Sequence, residues 1–230
     1  MNKTTLHYIY DPLCGWCYGA APLVKAACAV LRVRPHGGGM MTGGNSQRVT
    51  PQLREFVKPH DARIALLSGQ PFGQGYLEGL MYDTNAEFDS EPPTAAMLAA
   101  EALAGRGLDM LARLQTAHYV EGHRIAQRSV LIDIAAAEGL DPVSFAEALD
   151  RQSEVVQAHF GETRAFMAQV GAYGFPSFVL ESDGVYQAVE FSSFLGRPKD
   201  FQAWLRNRTH SAAISPADEA LVCDVNGCAL

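Results

Sequence analysis

Nowhere does this chain hold an apolar run approaching the ~20 residues that cross a bilayer, which excludes a membrane-spanning helix. Basic blocks are missing as well. The formal net charge is −7, so neither nucleic acid nor an anionic membrane finds a cationic surface to bind. The stretch before the first cysteine, MNKTTLHYIYDP, has a polar Thr pair, a histidine and a proline where an export signal needs an apolar core of about 7–15 residues. The expected compartment is therefore the cytoplasm, where thiols are kept reduced. Long linkers, low-complexity segments and internal repeats are absent too. Cysteine is scarce, five residues in 230, and in a reducing compartment those five speak for chemistry rather than cross-linking. What remains is an ordinary globular composition, 48% hydrophobic and 19% charged, of a length suited to one domain or to one fold carrying an insertion.

Against this background Cys14-Gly15-Trp16-Cys17 stands out. It sits between an apolar strand-like run, Leu6–Tyr10, and an Ala- and Leu-rich run with helical spacing to about Leu31. A helix N-terminus leaves backbone N–H groups unpaired and carries a partial positive charge, which favours a thiolate in the first turn. The thiolate is the form that attacks disulfides. Cys14, at the exposed end of the helix, is the expected attacking thiol, and Cys17, one turn on and more buried, the resolving one. Trp16 between them reads as exposed and as part of the docking surface, while Tyr18 suits either surface or core.

Pro22 is expected to kink this helix. A second strand is expected around Val30–Arg34, ending in a flexible run, His36-Gly37-Gly38-Gly39. From about Thr50 to Gly171 strand signals almost vanish. Thr50-Pro51 and Asp141-Pro142 are N-cap and first-position pairs, and the stretches TAAMLAAEALAGRG, LDMLARLQTAHYVEG and SVLIDIAAAEGL each close on glycine. A further long helix is expected in SEVVQAHFGETRAFMAQVGA. Strands return at Phe178–Glu181 and Val185–Val189 around the Ser182-Asp183-Gly184 turn, and an amphipathic helix runs from Pro198 to about Arg208. The order βαβ, helices, ββα predicts an α/β chain, a thioredoxin fold with an inserted helical subdomain. Its expected parts are 1–49 for the N-terminal βαβ, 50–171 for the insert, 172–210 for the C-terminal ββα and 211–230 for a tail.

DPLCGWCYGAAPL, the helical stretch LQTAHYVEGHRIAQRSVLIDIAAAEGLDPVSFAEALD and VGAYGFPSFVLE together resemble the DsbA-like superfamily. The likeness covers about residues 5–208. It is narrowest to the cytosolic bacterial branch of protein-disulfide isomerases and thiol–disulfide oxidoreductases, related to 2-hydroxychromene-2-carboxylate isomerase and kappa-class glutathione transferase. The resemblance implies a cis proline at Pro176, beside the redox cysteines, with Phe175 and Pro176 contacting substrate through free backbone groups. Gly15 and Trp16 complete the implied substrate-binding set. Phe175 is bulkier than the Val or Thr common before this proline in relatives, which narrows the pocket.

The expected activity is that of a glutathione-coupled cytosolic reductase or isomerase acting on protein disulfides or glutathione mixed disulfides. Glutathione would be a redox co-substrate, with no bound cofactor and no metal. Gly-Trp between the thiols lacks the histidine of strongly oxidising members of a class whose couples span about −120 to −270 mV. One alternative is a glutathione-dependent transferase or isomerase of small organic substrates, but kappa-class relatives generally carry Ser at the first thiol. Another is a zinc-binding adaptor, in which Cys14, Cys17, Cys223 and Cys228 would form a closed site. Cys28 reads as a buried, inert thiol, and the Cys223/Cys228 pair as incidental or, less simply, as an auxiliary shuttle. His36 reads as a turn residue, His118, His123 and His159 as surface or packing residues, and Arg197 as a candidate anion contact.

Overall fold

Every residue of Leu6–Tyr10 is buried, polar and apolar alike, because strand β1 (Thr5–Tyr10) lies at the centre of a sheet covered on both faces. The computed structural model describes residues 4–211. Its four-stranded sheet has the order β2-β1-β5-β6, with β2 (Arg32–Gly37) parallel to β1, β5 (Ser177–Ser182) antiparallel to β1, and β6 (Val185–Val189) antiparallel to β5. Parallel pairing requires a crossover, supplied by helix α1 (Gly15–Cys28). The side chains of Leu6, Tyr8 and Tyr10 share a core with Leu23 of α1 and with Phe201 and Leu205 of the C-terminal helix α7 (Pro198–Ser211).

The first helix is shorter than expected, ending at Cys28, and the second strand starts later and runs through Pro35 and His36. Pro35 is tolerated there because β2 is an edge strand, where a missing N–H leaves no ladder bond unmade. His36 is thus a buried strand residue rather than a turn residue, its Nε2 2.9 Å from Nδ1 of His7. Nor is the glycine run that follows loose. A Cβ on Gly38 would fall 2.1 Å from the Phe175 ring, so only glycine lets that ring lie against the backbone.

Between β2 and β5 come helices α2 (Pro51–Ser68), α3 (Glu91–Ala104), α4 (Gly107–Tyr119), α5 (Arg128–Ala137) and α6 (Pro142–Val170). The two proline-marked starts are capped as their sequences require. Thr50 Oγ1 accepts from Leu53 N at 3.1 Å, and Asp141 Oδ1 from Ser144 N at 2.9 Å. The segment is not wholly strand-free, since β4 (Glu87–Phe88) pairs with β3 (Gln47–Arg48) as a two-residue ladder. Tyr76, Tyr119, Phe145 and Phe160 lie in the second, helical core, which also takes in Leu13 and Tyr18 from the β1–α1 region. The fold is a thioredoxin-like sheet with an inserted helical region.

Pro22 lies inside α1, and the helix continues through it. A proline has no N–H to give the carbonyl four residues back. The orphaned Tyr18 carbonyl is taken instead by Gln70 Nε2 at 3.2 Å.

Candidate active site

Asp11-Pro12 turns the chain from β1 into α1. The Asp11 carboxylate accepts from Leu13 N at 2.9 Å, and the Asp11 carbonyl from Cys14 N at 3.2 Å, which locks the turn. Cys14 is therefore the N-cap of α1 rather than a first-turn residue, with extended φ −87° and ψ 113°. Its carbonyl accepts from Cys17 N at 2.9 Å and from Tyr18 N at 3.1 Å. No acidic residue of α1 itself and no side-chain cap occupies the first turn, so the partial positive charge of the helix end faces the thiols.

Both thiols are free. Cys14 is 6% exposed, less than a residue at an open helix end would be, and Cys17 is 0% exposed. The Cys14 thiol donates to the Phe175 carbonyl oxygen at 3.4 Å, and the Phe175–Pro176 peptide bond is cis. Burial, then the hydrogen bond and charge of neighbouring Cys14, hold the Cys17 thiol well above its ordinary pKa. Two backbone contacts fix Cys17. Asp11 N–H donates to its sulfur at 3.5 Å, and Tyr8 Oη donates to its carbonyl at 3.3 Å.

A cavity of about 520 Å³ opens beside Cys14, lined by Trp16, Asp61, Tyr76, His118 and Tyr119 among others. Gly15 and Trp16 both border it, and Trp16 is half-buried rather than exposed, with Arg63 6.0 Å above its ring. Tyr18 belongs to the core, stacked on Tyr119 at 4.8 Å. The structure thus brings Cys14, Gly15, Trp16 and Cys17 together with Phe175.

Several sequence-marked residues fall elsewhere. Cys28 is exposed, not buried, because it ends α1 on the solvent side. Arg197 caps its own turn, donating to the Ser193 carbonyl and pairing with Asp200 at 3.5 Å. His118 is buried at the cavity wall, and His159 is half-buried on α6, its Nε2 accepting from Gly37 N at 3.0 Å. Cys223 and Cys228 lie outside the described residues. Among the described residues no group of three or more His, Cys, Asp or Glu side chains could hold a metal ion, and no helix is long and apolar enough to cross a membrane.

Two carboxyls escaped the sequence reading. Asp11, fully buried, also accepts from Met40 N at 2.6 Å and Ser90 Oγ at 2.8 Å, and burial raises its pKa despite those donors. Its signal was its place in an Asp-Pro turn just before the cysteines. Asp61 sits in a polar helix that reads as solvated, and nothing local marks it.

The DSBA-like thioredoxin domain matches residues 5–196. The chain belongs to this family. Among solved structures, the cytosolic disulfide reductase DsbM from Pseudomonas aeruginosa is 57% identical over 90% of this chain and 99% of that one, with a TM-score of 0.85. The same reductase solved with GSH gives 55% identity and a TM-score of 0.83. A candidate protein disulfide isomerase from Nitrosomonas europaea is 26% identical over 91% of this chain and 98% of that one, with a TM-score of 0.71. 2-Hydroxychromene-2-carboxylate isomerase, 17% identical with a TM-score of 0.57, shares the fold. No curated protein sequence matches the chain. As a DsbA-like protein with a free Cys14/Cys17 pair, this chain is a thiol–disulfide oxidoreductase.

Proposed function

We propose that the chain works in the cytosol as a glutathione-coupled disulfide reductase or isomerase, with Cys14 as nucleophile and Cys17 as resolving thiol. The observation that carries this reading is the contact between the Cys14 thiol, which borders the cavity, and the Phe175 carbonyl. An extended substrate lying along Phe175 and Pro176 would bring its disulfide to Cys14, with Gly15 and Trp16 as the opposite wall. Similarity to a cytosolic disulfide reductase, solved also with GSH, supports the compartment and the co-substrate.

The Cys14 thiolate attacks one sulfur of the substrate disulfide, forming a mixed disulfide and releasing the other half as a thiolate. Cys17 then attacks Cys14 Sγ, which frees the second half and closes the Cys14–Cys17 disulfide. Two glutathione molecules reopen it in successive exchanges and leave as glutathione disulfide. The Asp11 N–H at 3.5 Å from Cys17 Sγ stabilises the resolving thiolate once its proton leaves.

The test is reduction of a glutathionylated peptide, followed by mass spectrometry. The native protein turns over, Cys14→Ser is inert, and Cys17→Ser stalls as a mixed disulfide on Cys14. A redox titration against glutathione with a midpoint at the strongly oxidising end, near −120 mV, would overturn the reductase reading.

A further inference from the structure

Asp61 has no part in the exchange written above, yet the fold carries it to the attacking cysteine. It belongs to the buried stripe of α2, Asp61, Ile64 and Ser68, on a helix otherwise largely in solvent. That stripe meets the start of α1. A Cβ on Gly15 would lie 2.9 Å from Ile64 Cδ1, 3.3 Å from Asp61 Oδ1 and 4.0 Å from Tyr119 Oη. The carboxyl therefore abuts the residue next to Cys14, and it lines the same cavity. Position 15 is glycine because a side chain there would push into this stripe.

The carboxyl is held but not neutralised. Tyr76 Oη donates to Oδ2 at 3.0 Å, and Asp61 makes no ion pair among the described residues. The groups around it come from four elements. They are Cys14 at the start of α1, Tyr76 from the turn Gly75–Gly79, His118 and Tyr119 from α4, and His60 and Arg63 from α2 itself. Burial drives the pKa of His118 down to about 3 and those of both tyrosines upward, so all three are uncharged near neutrality. Burial likewise lifts the Asp61 carboxyl to about 6, against the hydrogen bond from Tyr76. Near neutrality both of its forms are populated, as an acid–base group requires.

We propose that Asp61 is the catalytic acid and base of the thiol–disulfide exchange, protonating the thiolate that leaves when Cys14 attacks and deprotonating the glutathione thiol that enters afterwards. This rests on the exchange reaction proposed above. In the first step a bond forms between Cys14 Sγ and one substrate sulfur, and the substrate S–S bond breaks. The electron pair passes to the departing sulfur, which takes the Asp61 proton and leaves as a thiol. In the reductive step the glutathione thiol gives its proton to the Asp61 carboxylate. Its thiolate then opens the Cys14–Cys17 disulfide at Cys14, and the pair passes to Cys17.

An acid assisting the leaving group matters for a basic alkyl thiolate and hardly at all for an acidic aromatic one. The experiment measures single turnovers of the reduced protein with glutathione disulfide and with a nitrobenzoate aromatic disulfide across pH 5–8. In the native protein the ratio of the two rates, from which ionisation of Cys14 cancels, falls as pH rises through about 6. Asp61→Asn slows glutathione disulfide by ~10²-fold, changes the aromatic rate by less than about threefold, and flattens the ratio against pH. A pH-independent ratio in the native protein overturns the proposal without recourse to any variant, as does an Asp61→Asn protein that slows both substrates equally. Reaction of the native protein with neither disulfide overturns the exchange reading as well, whereas a flat ratio overturns only the role of Asp61.

Discussion

The Cys14 thiol donates to the Phe175 carbonyl oxygen at 3.4 Å, across 161 positions of sequence. That contact ties the N-cap of α1 to the start of β5, and the Phe175 ring in turn lies on the backbone at Gly38. Three loops at the same end of the sheet therefore meet around Phe175. The sheet order explains why. Strand β1 is flanked by β2 and β5, so the turns at its C-terminal end, after β2 and before β5 are neighbours.

Gly38→Ala tests this arrangement. The new methyl would sit 2.1 Å from Phe175 Cε1 and Cζ, so the ring must swing away and carry its carbonyl with it. Overpacking of this kind costs ~1–3 kcal/mol, and displacing the Phe175 carbonyl is expected to lower kcat/KM for a glutathionylated peptide by about tenfold or more. Adding Phe175→Ala removes the clash, so the double variant should be more stable to urea than the sum of the singles predicts. Strict additivity would show that the ring yields without strain.

The helix through Pro22 gives a second test. Gln70→Leu leaves the Tyr18 carbonyl without its donor, which is expected to cost about 1–2 kcal/mol in urea unfolding. Pro22→Ala supplies an N–H four residues on, able to serve that carbonyl within the helix. Gln70→Leu should then cost markedly less in the Pro22→Ala background. Equal costs in both backgrounds would mean that the Gln70 bond contributes nothing.

The buried Asp11 carboxyl accepts from three donors and makes no ion pair among the described residues. Ser90→Ala removes its side-chain donor and, with it, the acceptor of Met41 N, so a fully buried carboxyl and a buried backbone N–H are each left short of one bond. The expected cost is ~2 kcal/mol, well above that of an exposed Ser→Ala change. Thermal unfolding of Ser90→Ala beside Ser46→Ala, whose hydroxyl bond is exposed, measures the difference.

How much of this was legible in the sequence follows from the range of the forces involved. Capping is local, so Thr50 and Asp141 announced their helices, and Gly105 and Gly171 ended theirs at φ 64° and 66°. CGWC and GFPSF were legible as motifs, though their meeting at 3.4 Å depends on the sheet order. Pro22 misled because its missing bond is repaired by a residue 48 positions further on, Gln70. The glycine run misled in the same way, since a missing Cβ reads as freedom until an aromatic ring fills the space. Asp61 was invisible because α2 buries one narrow stripe and its sequence is mostly solvated. Cys28 read as buried from its apolar neighbours, but it is the last residue of α1 and faces outward.

Acid stability carries the last test, and His36, His118 and Asp61 each contribute to it with a definite sign. Burial holds both His36 and His118 down to about 3, below the ordinary histidine value of about 6.5. Between those values the unfolded chain binds a proton at each site and the folded protein does not, so stability is lost as pH falls from about 6.5 toward 3. Asp61 acts in the opposite sense. Its pKa is raised to about 6, so from about 4 to 6 the folded protein holds the extra proton and this group's contribution falls as pH rises. Near pH 5 the two histidines outweigh the Asp61 carboxyl, so these three groups together favour higher pH. His118→Phe keeps an aromatic ring against Tyr76, Phe88 and Tyr119 while removing one of the two histidine protons. The slope of unfolding free energy against pH, from urea titrations between pH 4.5 and 6, should therefore drop by about one proton's worth, ~1.4 kcal/mol per pH unit. An unchanged slope would mean that His118 already takes up its proton in the folded protein.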